Sequence, residues 1–435
     1  MSQVAHAKPN AHFVDHLIEL SAENSVLTTC DIYSDSGIKL LMRGVEITPH
    51  LRERLLQHRL TQPLERCLEV SDAVNAEELS KLVRQIAEER PELSALCGLG
   101  AGLTGTEGRS DKRWWSLAYL RSVPLDSVSL LLLTMGRRNN GGPLRHAVLV
   151  TLIALGLGRR LRVPEDTLCH LTTAGLLHDV GELYIDPQTL DPNHHVTIRE
   201  WRGIVAHPVV GFKLLNEVGG VGAEPARAVL EHHERWDGSG YPRGVLGKDT
   251  SLAGHLLATA EMIAGLLNKS GVDTRRAGIA LKALSPGLSP EVLAALGESL
   301  SQTQGSHAHA TLPEVAVVAA ALEQTARLLV QVDQALTLHR GDSDNALVQA
   351  FAHEIQERFN LIKAAFLRTG PGSLPLADVT ALLHEPDAEE LVQETADVCD
   401  EIRWRLRELT RTAVMRVAHM PEYCQPEASG LLTAL

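Results

Sequence analysis

Apolar residues recur every three or four positions through most of the chain, which is the spacing of one face of an α-helix. Nearly all of the stretch from Trp114 to about Leu300 shows this pattern. The stretch from Leu312 to about Met420 shows it in three or four amphipathic segments, and Asn75 to Leu93 forms another. The pattern predicts a mainly α fold that ends in a C-terminal helical bundle. The bundle carries no cluster of metal-binding residue types, so simple packing is the preferred interpretation and dimerisation the alternative.

A different pattern occupies residues 13 to about 70. Two β-prone runs, TTCDIYS and IKLLMRGVEI, flank the turn signal Asp35-Ser36-Gly37, which is typical of a β-hairpin. Thr48 followed by Pro49 then predicts the start of a helix, with Thr48 as its N-cap. This part is expected to be a small α+β module. Since it shows no chemical constellation, its predicted role is regulatory or architectural.

These patterns predict five segments along the chain. The glycine-rich stretch GLGAGLTGTEGRSDKR has no GK[ST] sequence and no strand before it, so a linker is favoured over a phosphate-binding loop. The predicted segments are a disordered N-terminus at 1–12, the β-hairpin and helix module at 13–97, the linker at 98–113, a helical core domain at 114–305 and a C-terminal helical segment at 312–435.

Composition narrows the class of protein. The 435 residues are 44% hydrophobic and 22% charged, as in ordinary globular proteins, and the net charge of −13 argues against binding to nucleic-acid polymers or anionic membranes. The six cysteines form no CxxC pair, which favours a reduced, cytoplasmic setting. No signal peptide is visible, and the apolar runs 127–135 and 146–158 are too short to span a bilayer. We therefore expect a cytoplasmic protein without membrane contact.

The most informative stretch is LLHDVGE, in which an apolar helix from Glu165 is predicted to end at His178-Asp179. Imidazole nitrogen and carboxylate oxygen both bind divalent first-row metals. An isolated His-Asp pair is weak evidence, because an exposed pair at a helix end would have the same sequence. The pair therefore needs partners elsewhere in the chain.

Two downstream stretches supply such partners. His207-Pro208 follows a predicted capping box from Thr197 to Glu200, and His232-His233 ends an apolar helix just before a glycine-rich turn. Each histidine alone is more often structural than a metal ligand. Together with His178-Asp179 they predict a metal site suited to phosphodiester hydrolysis, in which Asp179 is the natural bridging ligand.

The segments AGLLHDVGE, REWRGIVAHPVVGFKLL and EHHERWDGSGYPRG resemble the HD-GYP domains, a branch of the HD metal-dependent phosphohydrolases. The resemblance covers roughly Gly141 to Leu300. It implies an all-helical core, two or three divalent ions, often iron or manganese, and hydrolysis of cyclic di-GMP to linear pGpG or GMP. It also implies contact between GGDEF-type partner domains and the loop that carries Gly240, Tyr241 and Pro242, here called the GYP loop. A homodimer is also consistent with the resemblance.

The resemblance also assigns roles to individual residues. It implies a catalytic role for Asp179, and the place of Glu182 beside the predicted metals makes Glu182 a second catalytic candidate. It implies substrate or partner contacts for Asp237, Gly240, Tyr241, Pro242 and His255. The implied metal ligands are His146, His178, Asp179, His207, His232, His233 and Glu261.

This chain departs from the family pattern at several positions. Glu182 stands where the family usually has lysine, and it would either add a metal ligand or weaken the binding of an anionic substrate. Glu261 replaces an aspartate ligand, and His255 replaces an arginine that can pair with phosphate. The family's RPYR segment has no counterpart after Leu267, where Arg275 and Arg276 are weak candidates to replace it.

Three functions are consistent with these residues. The first is a metal-dependent cyclic di-GMP phosphodiesterase. The second, motivated by Glu182 and His255, is a catalytically degenerate HD-GYP protein that senses a cyclic dinucleotide or serves as a scaffold. The third is an HD hydrolase of another nucleotide, which the specific GYP segment makes the least preferred.

Overall fold

The computed structural model describes residues 8–90, 93, 115–137, 142–191, 194, 197–238, 240–267, 287–301, 313–338 and 345–432. The predicted mainly α fold is confirmed. The chain forms two compact units, the first comprising Met1–Gly265 with Ala294–Gln302 and the second comprising Leu266–Leu293 with Thr303–Leu435. The predicted linker at 98–113 lies outside the described residues, as do Arg275 and Arg276.

The described helices up to Gly265 carry the candidate chemistry. They are α1 (Ala11–Ser21), α2 (Arg52–Gln57), α3 (Ala76–Glu89), α4 (Trp115–Ser122), α5 (Ser127–Met135), α6 (Gly142–Arg160), α7 (Glu165–Leu177), α8 (Ile198–Lys213), α9 (Ala223–Glu231) and α10 (Leu252–Leu267). Short 3-10 turns lie at Pro49–Leu51, Leu64–Cys67, Val180–Tyr184, Pro187–Leu190 and Gly247–Asp249, and a π-helical turn at Leu214–Val218 continues α8.

Four short strands form two antiparallel pairs near the N-terminus. They are β1 (Val26–Thr28), β2 (Ile32–Tyr33), β3 (Lys39–Leu41) and β4 (Leu68–Val70). The predicted hairpin is present as the pair β2–β3, and Gly37 in its turn has a φ of 83°, which a residue without a Cβ adopts readily. The other pair joins β1 to β4.

Two details of the N-terminal segment differ from the sequence expectation. α1 begins at Ala11, inside the stretch 1–12 that was expected to be disordered, because the Asn10 side chain accepts hydrogen bonds from the backbone of His12 and Phe13. Thr48 does precede the next helical turn, but that turn is 3-10 and Thr48 makes no side-chain capping bond. Proline at the first position is enough to start this turn.

The core of the first unit is built around α6, which is buried on nearly every face. α6 packs along α7, and α9 packs against both α7 and α8. A Cβ on Gly175 of α7 would lie 2.6 Å from Thr151 Oγ1 of α6, so the two helices approach closely there. α8 also packs against the 3-10 turn that follows α7. This arrangement brings the C-terminal ends of α7 and α9 together with the middle of α8.

The second unit contains the C-terminal bundle. Its core includes Leu322, Phe351, Phe359 and Ile402, which come from three different helices. The described helices of this part are α12 (Val315–Leu338), α13 (Ala346–Leu367), α14 (Gly370–Ser373), α15 (Leu376–Leu382), α16 (Glu389–His419) and α17 (Gln425–Leu432), and α11 (Pro290–Ser301) precedes them.

α12 is long and apolar enough to cross a membrane. Core helices of soluble proteins can be equally long and apolar, so one such helix is weak evidence for a membrane span. About 28% of the most apolar window of α12 is buried. α4 and α5 reach that length and apolar character only when taken together, and the pair is bent by 120°. The expectation that the protein makes no membrane contact stays a prediction.

Candidate metal centre

Three histidines share one local arrangement, two of them at helix ends and the third within α8. In each, ring nitrogen Nδ1 lies close to the backbone carbonyl oxygen three residues earlier. A carbonyl oxygen can only accept a hydrogen bond, so Nδ1 carries a proton, and in the neutral ring Nε2 presents a lone pair. The pairs are His178 with Gly175 at 2.8 Å, His207 with Ile204 at 2.6 Å and His232 with Val229 at 2.6 Å.

The three Nε2 atoms converge around one carboxylate. His207 Nε2 and His232 Nε2 lie 3.1 Å apart, and Asp179 Oδ1 lies 3.5 and 3.4 Å from them. His178 Nε2 is fully buried without a hydrogen-bond partner, although Asp179 Oδ2 is only 2.9 Å away. Lone pairs that face one another in a buried site repel unless a cation lies between them. The donor set therefore fits a divalent metal.

The candidate ligands fall into two groups that share Asp179. One group contains Asp179, His207, His232 and His233, and the other contains His146, His178 and Asp179. Within each group the ligand atoms lie within 4.8 Å of one another. A carboxylate has two oxygens, so Asp179 can bridge two neighbouring ions. The sequence-predicted ligands thus meet at one place, although they come from four different helices and one turn.

Glu261 joins the second group from α10. Its Oε2 atom lies 3.0 Å from His146 Nε2 and 3.3 Å from His178 Nε2. Asp179 Oδ2 lies 3.6 Å from His146 Nε2 on the same side. The methylene that distinguishes Glu261 from the aspartate of the family pattern therefore does not keep its carboxylate from the site.

The histidines of the cluster differ in the direction in which their pKa values are shifted. Burial disfavours a charge on His178, but Asp179 and Glu261 outweigh burial and raise the pKa of His178 well above its ordinary value. Burial first, with His207 and His178, outweighs the effect of Asp179 on His232 and lowers the pKa of His232 to about 4. The pKa of Asp179 lies well below its ordinary value because His178 and its neighbours outweigh the cost of burial. Asp179 is therefore an anion throughout the neutral range.

Glu182 lies beside the two groups but in neither of them. It belongs to the 3-10 turn Val180–Tyr184, whose residue Gly181 touches α8 so closely that a Cβ would overlap the carbonyl oxygen of His207. Burial first, and then Asp179, raise the pKa of Glu182 to about 7. The structure leaves Glu182 out of both candidate ligand groups, and its effect on substrate binding stays a prediction.

The GYP loop packs on the same ligands. The Tyr241 ring stacks on the His233 ring, with centroids 4.6 Å apart and an interplanar angle of 24°. The backbone N–H of Tyr241 donates to the His233 carbonyl at 3.1 Å. A Cβ on Gly240 would overlap the backbone of residues 233–235, so glycine is required for this approach. Tyr241 thereby orients a candidate ligand.

Comparison with known proteins agrees with this geometry. A family model described as "HD domain" matches residues 130–286. This match shows an HD domain in the chain, in agreement with the resemblance found in the sequence.

Curated relatives match about a quarter to a third of the chain. They include the Cyclic di-GMP phosphodiesterase PA4108 of Pseudomonas aeruginosa, 32% identical over 27% of this chain and 28% of the relative. The 3′3′-cGAMP-specific phosphodiesterase 3 of Vibrio cholerae is 33% identical over 36% of this chain and 34% of the relative. The Cyclic di-GMP phosphodiesterase of Thermotoga maritima is 30% identical over 29% and 34%. The chain thus spans about a third of the length of these relatives.

Two glutamates of the HD domain brace the GYP loop, and sequence reasoning missed both. Glu234 is buried and accepts hydrogen bonds from the backbone N–H groups of Arg243 and Val245, at 2.9 and 3.2 Å. Glu231, also buried, accepts from the Arg243 guanidinium at 2.8 Å and from the Ser251 backbone at 2.7 Å. In the sequence these two residues look like ordinary exposed glutamates at a helix end, so no local signal marked them.

The remaining predicted residues lie on the loop and on α10. His255 is only 8% exposed, and its ring lies 5.0 Å from the Trp236 ring. Asp237, Gly240 and Pro242 are partly exposed on the loop. His194 bonds to Glu200 at 3.1 Å, at the start of α8, and His195 lies outside the described residues. Contacts of the loop and of His255 with a substrate or partner stay predictions.

Proposed function

We propose that the HD domain hydrolyses the phosphodiester bonds of a cyclic dinucleotide, foremost cyclic di-GMP, to linear pGpG or GMP. The observation that carries the proposal is the convergence of the His178, His207 and His232 Nε2 atoms on Asp179. Relatives named as phosphodiesterases of cyclic di-GMP and of 3′3′-cGAMP support the substrate class.

Each residue would have a defined part in that reaction. His207, His232 and His233 would hold one ion, His146, His178 and Glu261 the other, and Asp179 both. When bound, the ions would supply Lewis acidity toward the phosphodiester and acidify a water molecule. Glu182, with a pKa raised to about 7 by burial, is suited to hold or release the proton of the leaving alcohol.

Iron or manganese is the proposed metal, with two or three ions in each chain. The candidate ligands are imidazoles and carboxylates without a thiolate. Such nitrogen and oxygen ligands suit first-row divalent ions, and the Irving–Williams order leaves the choice to availability and geometry.

The direct test is turnover after anaerobic purification and reconstitution with Fe²⁺ or Mn²⁺. Cyclic di-GMP and 3′3′-cGAMP are supplied separately, bound metal is measured by elemental analysis, and products are separated by chromatography. We expect metal-dependent release of pGpG or GMP, and loss of both metal and product in Asp179→Asn. Absence of bound metal, or absence of product in the reconstituted wild type, contradicts the proposal.

A catalytically degenerate sensor or scaffold is the second candidate. The observation that favours it is the Glu182 carboxyl beside Asp179, where the family usually has a cation. In that case cyclic di-GMP would bind to the reconstituted protein, measured by calorimetry, without product formation. Turnover abolished by Asp179→Asn excludes this candidate.

The proposal also includes two protein contacts and the cellular location of the protein. Tyr241 and Pro242 offer a partly exposed loop surface for a GGDEF-type domain, and the C-terminal bundle offers a surface for a homodimer. A cytoplasmic location suits a nucleotide substrate. Binding of a purified GGDEF-type domain that is lost in Tyr241→Ala, and the mass of the protein in solution, test these two contacts.

A further inference from the structure

Tyr184 ends the 3-10 turn that follows the His178-Asp179 pair, and it is held by the N-terminal segment. Its ring stacks on Phe13 of α1, with centroids 5.1 Å apart and an interplanar angle of 11°. Its hydroxyl donates a short hydrogen bond to Glu65 Oε1. Its carbonyl accepts from Asn10 Nδ2 at 3.2 Å. Three contacts from separate places in the N-terminal segment therefore meet at one residue.

The partner Glu65 sits in a nonpolar setting. It is 8% exposed, and burial raises its pKa. Burial and the nearby Glu65 also raise the pKa of Tyr184 well above its ordinary value. Tyr184 therefore stays protonated and donates. A buried hydrogen bond of this kind is costly to lose, because the acceptor would be left without a partner.

The turn Leu64–Cys67 makes a second contact through Arg66, the residue that follows Glu65. The Arg66 guanidinium donates to the carbonyl oxygens of Glu217 and Val218, at 3.0 Å for Val218. These carbonyls end the π-helical turn that continues α8, where a cation also complements the helix dipole. One turn of the N-terminal segment thus holds both the turn after Asp179, through Glu65, and the end of the helix that carries His207, through Arg66.

Tyr184 and Asp179 lie at the two ends of one short turn that is closed by backbone hydrogen bonds. The N–H of Glu182 donates to the Asp179 carbonyl at 2.8 Å, and the N–H of Ile185 donates to the Glu182 carbonyl at 3.0 Å. On the opposite side, Gly181 is in close contact with the backbone of His207. A shift of Tyr184 therefore moves Asp179 and Glu182 relative to α8.

We propose that the turn Leu64–Cys67 is a positioning element of the metal centre, and that Glu65 and Tyr184 are positioning residues that set Asp179 against His207. The proposal rests on the proposed function, since it assumes that these two ligands share an ion. The N-terminal segment would then affect metal binding by the HD domain. A signal that displaces the turn Leu64–Cys67 would change the affinity for metal.

The test compares Tyr184→Phe, Glu65→Leu and Glu65→Gln with the matched control Tyr119→Phe. Tyr119 also donates to a carboxylate, that of Glu165 at 2.6 Å, but on the exposed surface of the same unit. Three quantities are measured on the full chain: the Kd for Mn²⁺, kcat and KM, and amide hydrogen exchange of residues 179–185 in the metal-free protein.

We expect Tyr184→Phe and Glu65→Leu to weaken Mn²⁺ binding by about tenfold, as is common for residues that orient ligands, and to speed exchange of residues 179–185. Glu65→Gln keeps an acceptor oxygen and should restore most of the affinity. Tyr119→Phe should leave all three quantities unchanged. Combining Tyr184→Phe with Glu65→Leu should add little to either variant alone, because both remove the same hydrogen bond.

Unchanged Mn²⁺ affinity and unchanged exchange in Tyr184→Phe would overturn the positioning role. A wild-type protein that binds no Mn²⁺ would instead contradict the proposed function. In that case the exchange measurement still decides whether Glu65 and Tyr184 hold the turn, because it uses the metal-free protein. Should Glu65→Leu fail to fold, the conservative Tyr184→Phe variant, which keeps the stack on Phe13, carries the test.

Discussion

His207 Nε2 and His232 Nε2 lie 3.1 Å apart, and each ring donates its other nitrogen's proton to a backbone carbonyl three residues earlier. While both rings are neutral, neither can donate to the other without giving up its backbone bond. The backbone of α8 and of α9 thus prepares two lone pairs for one cation. This relationship identifies the ligand pair more directly than the mere presence of histidines does.

Replacing one member of this pair should remove bound metal. In His232→Ala the group around His207 loses one of its ligands, so we expect less Mn²⁺ per chain by elemental analysis after reconstitution, with Kd weakened at least tenfold. His384→Ala, at an exposed histidine of the C-terminal bundle, is the control and should keep the wild-type content. Equal metal content in the two variants would contradict the assignment.

Two glycines test the close approach of the Val180–Tyr184 turn to α8. A Cβ at Gly181 would overlap the His207 carbonyl, so Gly181→Ala should destabilise the protein by about 1–3 kcal/mol and weaken metal binding. Gly203 lies on α8 with only Ile185 Cγ2 nearby, at 3.8 Å from a built Cβ. Gly203→Ala should therefore stabilise by up to about 1 kcal/mol. Urea unfolding measures both, and equal midpoints would refute the contact.

Glu182 is expected to oppose an anionic substrate without holding the metal. Above about pH 7, where Glu182 is mostly ionised, Glu182→Gln should lower KM for cyclic di-GMP about three- to tenfold, because it removes a charge repulsion on the order of 1 kcal/mol, and should leave metal content unchanged. Glu182→Lys should lower KM further. Glu224→Gln, an exposed glutamate at the start of α9, is the matched control. A fall in bound metal in Glu182→Gln would instead make Glu182 a ligand.

The capping box of α8 gives a prediction about pH. The Glu200 carboxylate accepts from the Thr197 hydroxyl at 2.6 Å and from its backbone N–H at 2.7 Å, which lower the pKa of Glu200 to about 2 from an ordinary 4.5. A lowered carboxyl pKa stabilises the folded state above about pH 4.5, and this contribution is lost as pH falls through about 2.

Thr197→Val removes the hydroxyl donor, so the pKa of Glu200 should move toward 4.5 and acid unfolding should begin at a higher pH. Nuclear magnetic resonance titration of the Glu200 side chain measures the first effect, and circular dichroism against pH measures the second. Thr380→Val, in the C-terminal bundle, should leave both unchanged. A Glu200 titration that is identical in Thr197→Val and wild type would show that the hydroxyl bond is not responsible.

Much of the centre was predictable because its ligands depend on local backbone geometry. An apolar helix that ends at His178-Asp179 leaves the Gly175 carbonyl free to accept from His178 Nδ1. The same i−3 relationship applies to His207 and His232, so the motif and the tautomer follow from the same few residues. The capping box at Thr197 was visible for the same reason, and both of its hydrogen bonds are present.

Other relationships could not be found from the sequence. Glu65 and Tyr184 are 119 positions apart, and no local pattern pairs them. Glu231 and Glu234 have the composition of exposed helix-end residues, yet they are buried under the GYP loop. The segment boundaries stay predictions: the N-terminal segment was expected to be a separate module, and it lies in one compact unit with the HD domain.

The sequence by itself determined the helical class, the position of the ligand residues and the likeness to HD-GYP proteins, because helical periodicity and helix-end hydrogen bonds extend over only a few residues. Only the tertiary structure decided which candidate ligands lie close together, that Glu182 lies beside them and what holds Tyr184. Those relationships depend on how helices and turns distant in sequence pack, and close packing is set by the shape of the whole core.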